Sequence, residues 1–177
     1  MRHDMFQRIL VPVDGSITAT YALHRAIEIA LVTGAVVKAI TVIDTMRFQY
    51  GIAEPDQLRM QLRLSSETLI KTADALFEKA GIVAVADIME SGPAMPDIAS
   101  VIFECAKAFN ADLVVMGTHG RRGFRRMLTG SVAQHFLRMS ECPVLLMRRP
   151  TPDNIDIIAS SDLDDLLAMR SLTHSQP

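Results

Sequence analysis

Cysteine is scarce in this chain: Cys105 and Cys142 are the only two in 177 residues. That number is too small for a disulfide framework, and their positions lack metal-ligand spacing. They read as small core or surface thiols in a reducing compartment. Long apolar runs are missing as well. The first residues, MRHDMFQRILVPVD, hold a five-residue apolar run that ends at Asp14, too short for a signal-peptide core. Nothing approaches the roughly 20 apolar residues of a membrane span. A cytoplasmic protein without a membrane partner is expected. No strong excess of either charge is present, and a net charge of −2 argues against nucleic acid as a general partner, which would want a basic face. The chain also has no Gly-Lys pair, so it has no P-loop, and a single glycine follows its first strand-like run, so it has no dinucleotide fingerprint there.

What is present is enough for a self-supporting core. Apolar residues make up 49% of the chain, and a domain of this size buries roughly 70% of its unfolded surface. Strand-like and helix-like segments alternate. Ile9 to Val13 is a short apolar run bounded by Asp14-Gly15-Ser16. From Thr18 to Thr33, Ala19, Ala22, Leu23, Ala26, Ile27 and Ala30 recur at helical spacing, with Gly34 as the stop. Val36 to Ile43 is β-branched and reads as a second strand. After an irregular stretch from Asp44 to Asp56, a long helix to Ala80 is expected, with Leu58, Leu62, Leu69, Ala73 and Leu76 on its inner face. Ile82 to Met89 is a third strand, and Ile98, Ala99, Ile102, Phe103 and Ala106 form a helical stripe. Leu113 to Met116, Val132 to Met139 and Val144 to Met147 complete the order as strand, helix and strand.

Five strands separated by four helices predict an α/β fold, a doubly wound parallel sheet of order 3-2-1-4-5 with helices on both faces. Strands one, two, four and five are nearly continuous apolar runs, as burial on both faces requires. Such sheets bind ligands beyond the carboxyl ends of their strands, where strand order switches. Asp14-Gly15-Ser16 and the segment from Gly117 to Ser131 both fall on that edge. Residues 1–149 are expected to form the domain. Residues 150–177 form an acidic tail, with Asp153, Asp156, Asp162, Asp164 and Asp165 preceding Arg170, and a short amphipathic helix through Leu163, Leu166 and Leu167.

The segment after the fourth strand, MGTHGRRGFRRMLTGSVAQ, carries more glycine and arginine than a turn requires. Its spacing is G-x2-G-x9-G-S, set by Gly117, Gly120, Gly130 and Ser131. Glycines let backbone N–H groups close on a phosphate, and Gly130-Ser131 opens a helix whose first amides favour an anion. Ser131 is also expected to cap that helix. Arg121, Arg122, Arg125 and Arg126 are either phosphate contacts or a solvated face, and His119 faces solvent. His24 and His135 lie on helices as surface or boundary residues. No nucleophile–base pair and no metal-ligand spacing is found.

This glycine set, with VPVDGS after the first strand and TVID closing the second, resembles the universal stress protein family over Arg8 to Arg149. The spacing is similar to that of its ATP-binding branch. The resemblance implies a regulatory protein of the stress response that binds ATP, with or without Mg, and forms a homodimer through strand five. It implies adenine at the backbone of Val42 beside Pro12, and the ribose near Asp14 and Gly117, which adjoins Met116. Phosphates would be held by Gly120, Gly130, Ser131 and Val132; Arg121 lies outside the motif and is added from its place in the loop. Met46, Phe48 and Tyr50 either pack over adenine or cover the sheet edge. Two alternatives stay open: slow ATP hydrolysis by a polarised water, and a dimeric interaction module that no longer binds nucleotide. The protein partner is unknown, and the acidic tail either competes with phosphates for the arginines or stays in solvent.

Overall fold

The computed structural model describes residues 6–46, 55–118 and 130–148. Their order is β1 (Arg8–Pro12), α1 (Ile17–Thr33), β2 (Val36–Ile43), α2 (Pro55–Ala80), β3 (Ala84–Glu90), α3 (Ile98–Phe109), β4 (Leu113–Gly117), α4 (Ser131–Met139) and β5 (Val144–Met147). The strands form one parallel sheet of order β3-β2-β1-β4-β5, the expected topology. Boundaries agree with the sequence reading to within two residues for every strand.

Alternation along the strands sends side chains to two cores. Ile9, Val11, Val37, Ala39, Leu113 and Val115 point to the face covered by α1 and α2, where they meet Ala22, Ala26, Ile27, Ala73 and Phe77. Leu10, Ile40, Val114 and Met116 point the other way, onto Ile102, Cys105 and Ala106 of α3 and Ala133 and Phe136 of α4. Each fully buried large side chain contributes about 1.5–3 kcal/mol, so this double layer supplies most of the driving force. Cys105 belongs to the second core as a free thiol, and burial pushes its pKa up, which keeps it protonated and unreactive.

Local signals set the helix ends. Ser16 caps α1 and accepts from the Ala19 amide at 3.2 Å, and Gly34 closes it in the left-handed conformation at φ 77°. Asp97 caps α3 through the Ser100 amide at 3.0 Å, and Asn110 ends it at φ 52°.

Two expectations on packing are corrected. The inner face of α2 is formed by Ser66, Ala73, Phe77 and Ala80; Leu58 is exposed, and Leu62, Leu69 and Leu76 are only part-buried. The cause is length. The helix has 26 residues and β3 has 7. At their usual rises these span about 39 Å and about 23 Å, so the first turns of α2 run past the sheet that would cover them. The apolar run of β5 likewise does not signal burial on both faces. It is an edge strand, and Leu145 on its α1-side face is 39% exposed.

Candidate functional site

Strand order reverses at β1, and there the β1–β4 ladder is short, since Pro12 has no N–H to continue it. The β1–β4 register holds only Ile9↔Leu113 and Leu10↔Val114. The β1–β2 ladder runs to Pro12↔Ile40, where the Val13 amide donates to the Ile40 carbonyl at 2.8 Å. β2 then continues three residues beyond its neighbour, to Ile43. Backbone groups alternate sides along a strand, so Val42, like Ile40, turns its N–H and C=O to the side where β1 has ended. On the opposite wall, the Val114 and Thr118 amides donate to Pro143 and Met147 of the β5 side at 3.0 and 2.9 Å. Gly117, of the other parity, therefore turns its backbone towards β1. The backbone edges of Val42 and Gly117 thus turn towards the position where β1 ends at Pro12, which is part-buried.

The chain leaves β1 through a tight turn. Asp14 Oδ1 accepts from the Ser16 amide at 2.9 Å, and Gly15 takes φ 79°, which favours glycine. Asp14 thus serves the turn whatever else it binds. Gly117 has a packing reason to be glycine that the sequence reading did not contain. A Cβ there would stand 2.6 Å from Thr18 Oγ1 and 2.9 Å from the Ala19 nitrogen, so β4 ends in close contact with the first turn of α1. Met116 is placed differently: its side chain is buried in the second core, and its parity turns its backbone to β5.

Thr118 and Gly130 close the base of the glycine segment. The Gly130 amide donates to the Thr118 carbonyl at 2.5 Å, and the Thr118 hydroxyl donates to the Met147 carbonyl at 3.2 Å. Gly120 and Arg121, with His119, Arg122, Arg125 and Arg126, lie outside the described residues, as do Phe48, Tyr50 and the acidic tail. Met46 is described and part-buried.

The cap of α4 differs from expectation. Gly130, in extended geometry at φ −69° and ψ 156°, is the N-cap, and Ser131 is the first helical residue, exposed, so no side chain caps this helix. The reason is register: the Thr118–Gly130 hydrogen bond ends the loop one residue earlier. Among the described residues no side chain caps α4 and its first turn holds no acidic residue, an arrangement that favours an anion by about 0.3–2 kcal/mol. Val132 is part-buried against the second core.

Sequence reasoning missed Ser91, a buried residue just past β3. Its hydroxyl accepts from the amides of Thr45 at 2.9 Å and Met46 at 3.3 Å and lies 3.3 Å from Asp44 Oδ1. Its amide donates to the Ile43 carbonyl at 2.9 Å. In the sequence Ser91 precedes Gly-Pro and looks like turn punctuation; its partners lie more than forty positions earlier. Elsewhere, His135 of α4 stands 3.5 Å from Asp97 with both side chains exposed. Among the described residues no group of three or more His, Cys, Asp or Glu is placed to hold a metal, and no helix is long and apolar enough to cross a membrane.

The doubly wound parallel sheet of order β3-β2-β1-β4-β5, with Asp14 and Gly117 at the carboxyl ends of its central strands, defines an α/β fold of the class that binds ligands at that edge. Residues 5–148 match the model of the universal stress protein family, and the chain belongs to that family. It is 33% identical over 149 residues to a universal stress protein of Methanocaldococcus jannaschii, covering 83% of this chain and 85% of the relative. A universal stress family protein from Burkholderia pseudomallei superposes with a TM-score of 0.67 at 31% identity, over 81% of this chain and 96% of that one. A family member from Arabidopsis thaliana solved with AMP bound shares the fold, with a TM-score of 0.59 at 18% identity over 88% of this chain and 99% of that one.

Proposed function

We propose that this protein is a regulatory binder of an adenine nucleotide, ATP with or without Mg, acting in a cytoplasmic stress response. The observation that carries the reading is the end of β2 at Val42, whose backbone faces the side where β1 has stopped, with Gly117 at the end of β4 turned the same way from the other flank. A β-strand end with unused N–H and C=O groups matches the donor–acceptor edge of adenine, and it needs no side chain to do so. In this reading adenine lies against Val42 and Pro12, and the ribose sits between Asp14 and Gly117, next to Met116. The phosphates reach over Gly130, Ser131 and Val132, with Gly120 and Arg121 completing the cradle. The first turn of α4 supports the phosphate end, because among the described residues no side chain caps its amides.

The nucleotide acts here as a ligand that sets shape or partner choice. The reading assigns no catalytic residue, and any hydrolysis would be slow. Residues 150–177 form a separate acidic appendage to the 1–149 domain. Assembly is proposed as a two-fold homodimer through β5, whose exposed Leu145 would be covered by its mate.

Mass spectrometry of the small molecule that co-purifies with the protein, followed by calorimetric titration of the stripped protein with ATP, AMP and GTP, tests the reading. Adenine nucleotides should bind and GTP should bind at least about tenfold more weakly, since only one base edge fits the strand end. No heat with any adenine nucleotide at millimolar concentration would refute it.

A further inference from the structure

We propose that Ser91 is a positioning residue for base recognition, acting through the strand end it holds; the inference rests on the nucleotide reading above. Val42 has no strand on its β1 side, so the rigidity of its open edge must come from the β3 side. There the register pairs Val42↔Met89 and Ile43↔Glu90 are the last of the ladder. Immediately beyond them Ser91 takes over. Its amide donates to the Ile43 carbonyl at 2.9 Å, and the Thr45 hydroxyl donates to the Ser91 carbonyl at 2.5 Å. Its own hydroxyl has one proton and two lone pairs. The proton is directed at Asp44 Oδ1, 3.3 Å away, and the lone pairs accept the Thr45 and Met46 amides at 2.9 and 3.3 Å.

Every hydrogen-bonding capacity of this buried side chain is therefore spent on the three residues that follow β2. Removing the hydroxyl takes the acceptor from the Met46 amide and leaves the Thr45 amide only its longer bond to the Ile43 carbonyl at 3.1 Å, at the point where the strand turns away. The segment would then re-solvate by local opening, and the Val42 edge would lose its fixed position. The phosphate end has separate support. Gly130 is tied to Thr118, and Thr118 to Met147, with no atom shared with the Ser91 cluster. Loss of Ser91 should therefore be felt by the base and not by the phosphates.

The test is calorimetry of the full chain with ATP, adenosine and inorganic tripolyphosphate, for the parent protein and for Ser91→Ala, Ser91→Thr and Thr45→Val. Ser91→Ala should weaken ATP and adenosine about tenfold and lower the preference for ATP over GTP, with tripolyphosphate unchanged. Ser91→Thr keeps the hydroxyl and should retain parental values. Thr45→Val removes only the returning bond and should shift adenosine in the same direction by a smaller factor, which keeps the inference testable if Ser91→Ala does not fold. Parental adenosine affinity in Ser91→Ala, or an equal loss of adenosine and tripolyphosphate, would overturn the positioning role while leaving the nucleotide reading intact. A parent protein that binds neither ATP nor adenosine would overturn both.

Discussion

The two ends of the same sheet treat their backbone in opposite ways. At the amino end, the Asp112 carboxylate accepts the amides of Gln7 and Arg8 at 2.7 and 3.0 Å, and the Asp112 amide returns a bond to the Arg8 carbonyl at 3.0 Å. The Val36 amide takes the Gln7 carbonyl at 2.8 Å, and the Arg8 guanidinium stacks over the Phe109 ring at 4.4 Å. Strand starts are tied to each other, although Gln7 and Arg8 are themselves exposed. At the carboxyl end, β1 stops at Pro12, β2 runs on to Ile43, and β4 stays paired with β5 through Gly117. The first turn of α4, which no described side chain caps, begins beyond that end of β4, joined to it by the Gly130–Thr118 bond. The difference separates two uses of a strand end: one whose amides are bonded by a side chain of the fold serves stability, and one whose neighbouring strand has stopped is where the proposed ligand would bind.

The sharpest way to break this contrast is to add bulk at the end of β4. Gly117→Val places a branched side chain against the Thr18 and Ala19 backbone, where even a Cβ would be too close. It should cost about 3 kcal/mol in urea denaturation and abolish nucleotide binding as well, because fold and site share this residue. A stable, ATP-binding variant would show that the close approach is not needed. Next in size is the flank. On the proposed β5 dimer, Leu145→Asp buries a carboxylate at the interface and should weaken assembly by about 2–3 kcal/mol, read by sedimentation at micromolar concentration. A dimer unaffected by this change would remove β5 as the interface.

A smaller effect separates the two ends. Asp112→Ala leaves the Gln7 and Arg8 amides without their acceptor and should destabilise the fold by about 1–2 kcal/mol. Its affinity for ATP should equal that of the parent, measured by calorimetry below the unfolding transition. A change in affinity would mean that the ends are coupled and the contrast too simple.

The smallest effect belongs to His24, half-buried on α1 and remote from both ends. Desolvation by burial, the largest cause, lowers its pKa below 6.5, helped by Arg25 and Lys79 and opposed by Glu28. The unfolded chain therefore takes up a proton first as pH falls below 6.5, and stability declines from there until the folded histidine also protonates. His24→Gln should flatten the stability profile between about pH 6.5 and 5 while leaving nucleotide affinity alone. An unchanged slope in that window would show that His24 does not titrate as described.

Much of the fold was legible because its causes are local. Ser16, Gly34 and Gly81 mark helix ends by their own chemistry, and Ile9 to Val11 or Leu113 to Met116 reveal a buried strand by composition. Periodicity misled at Leu58, since an apolar stripe says which way a helix faces and not whether the sheet extends far enough to meet it. The motif residues Gly117 and Gly130 were legible as a spaced pair, but their reasons were not. That β4 abuts α1 at Gly117, or that Thr118 closes on Gly130 and moves the helix cap from Ser131, depends on elements brought together only by folding. Ser91 was illegible for the same reason, because each of its side-chain partners lies on another strand's exit.

The central claim, that the carboxyl end is a nucleotide site separable from the fold, is tested most directly by Gly130→Val. Gly130 sits at φ −69° and ψ 156°, a conformation open to valine, so the substitution introduces bulk beside the first α4 amides without backbone strain. Circular dichroism should match the parent and stability in thermal unfolding should fall by no more than about 1 kcal/mol, the cost of a poorer N-cap, while calorimetric ATP affinity should fall by at least about a hundredfold. A natively folded Gly130→Val protein that binds ATP as tightly as the parent would contradict the account.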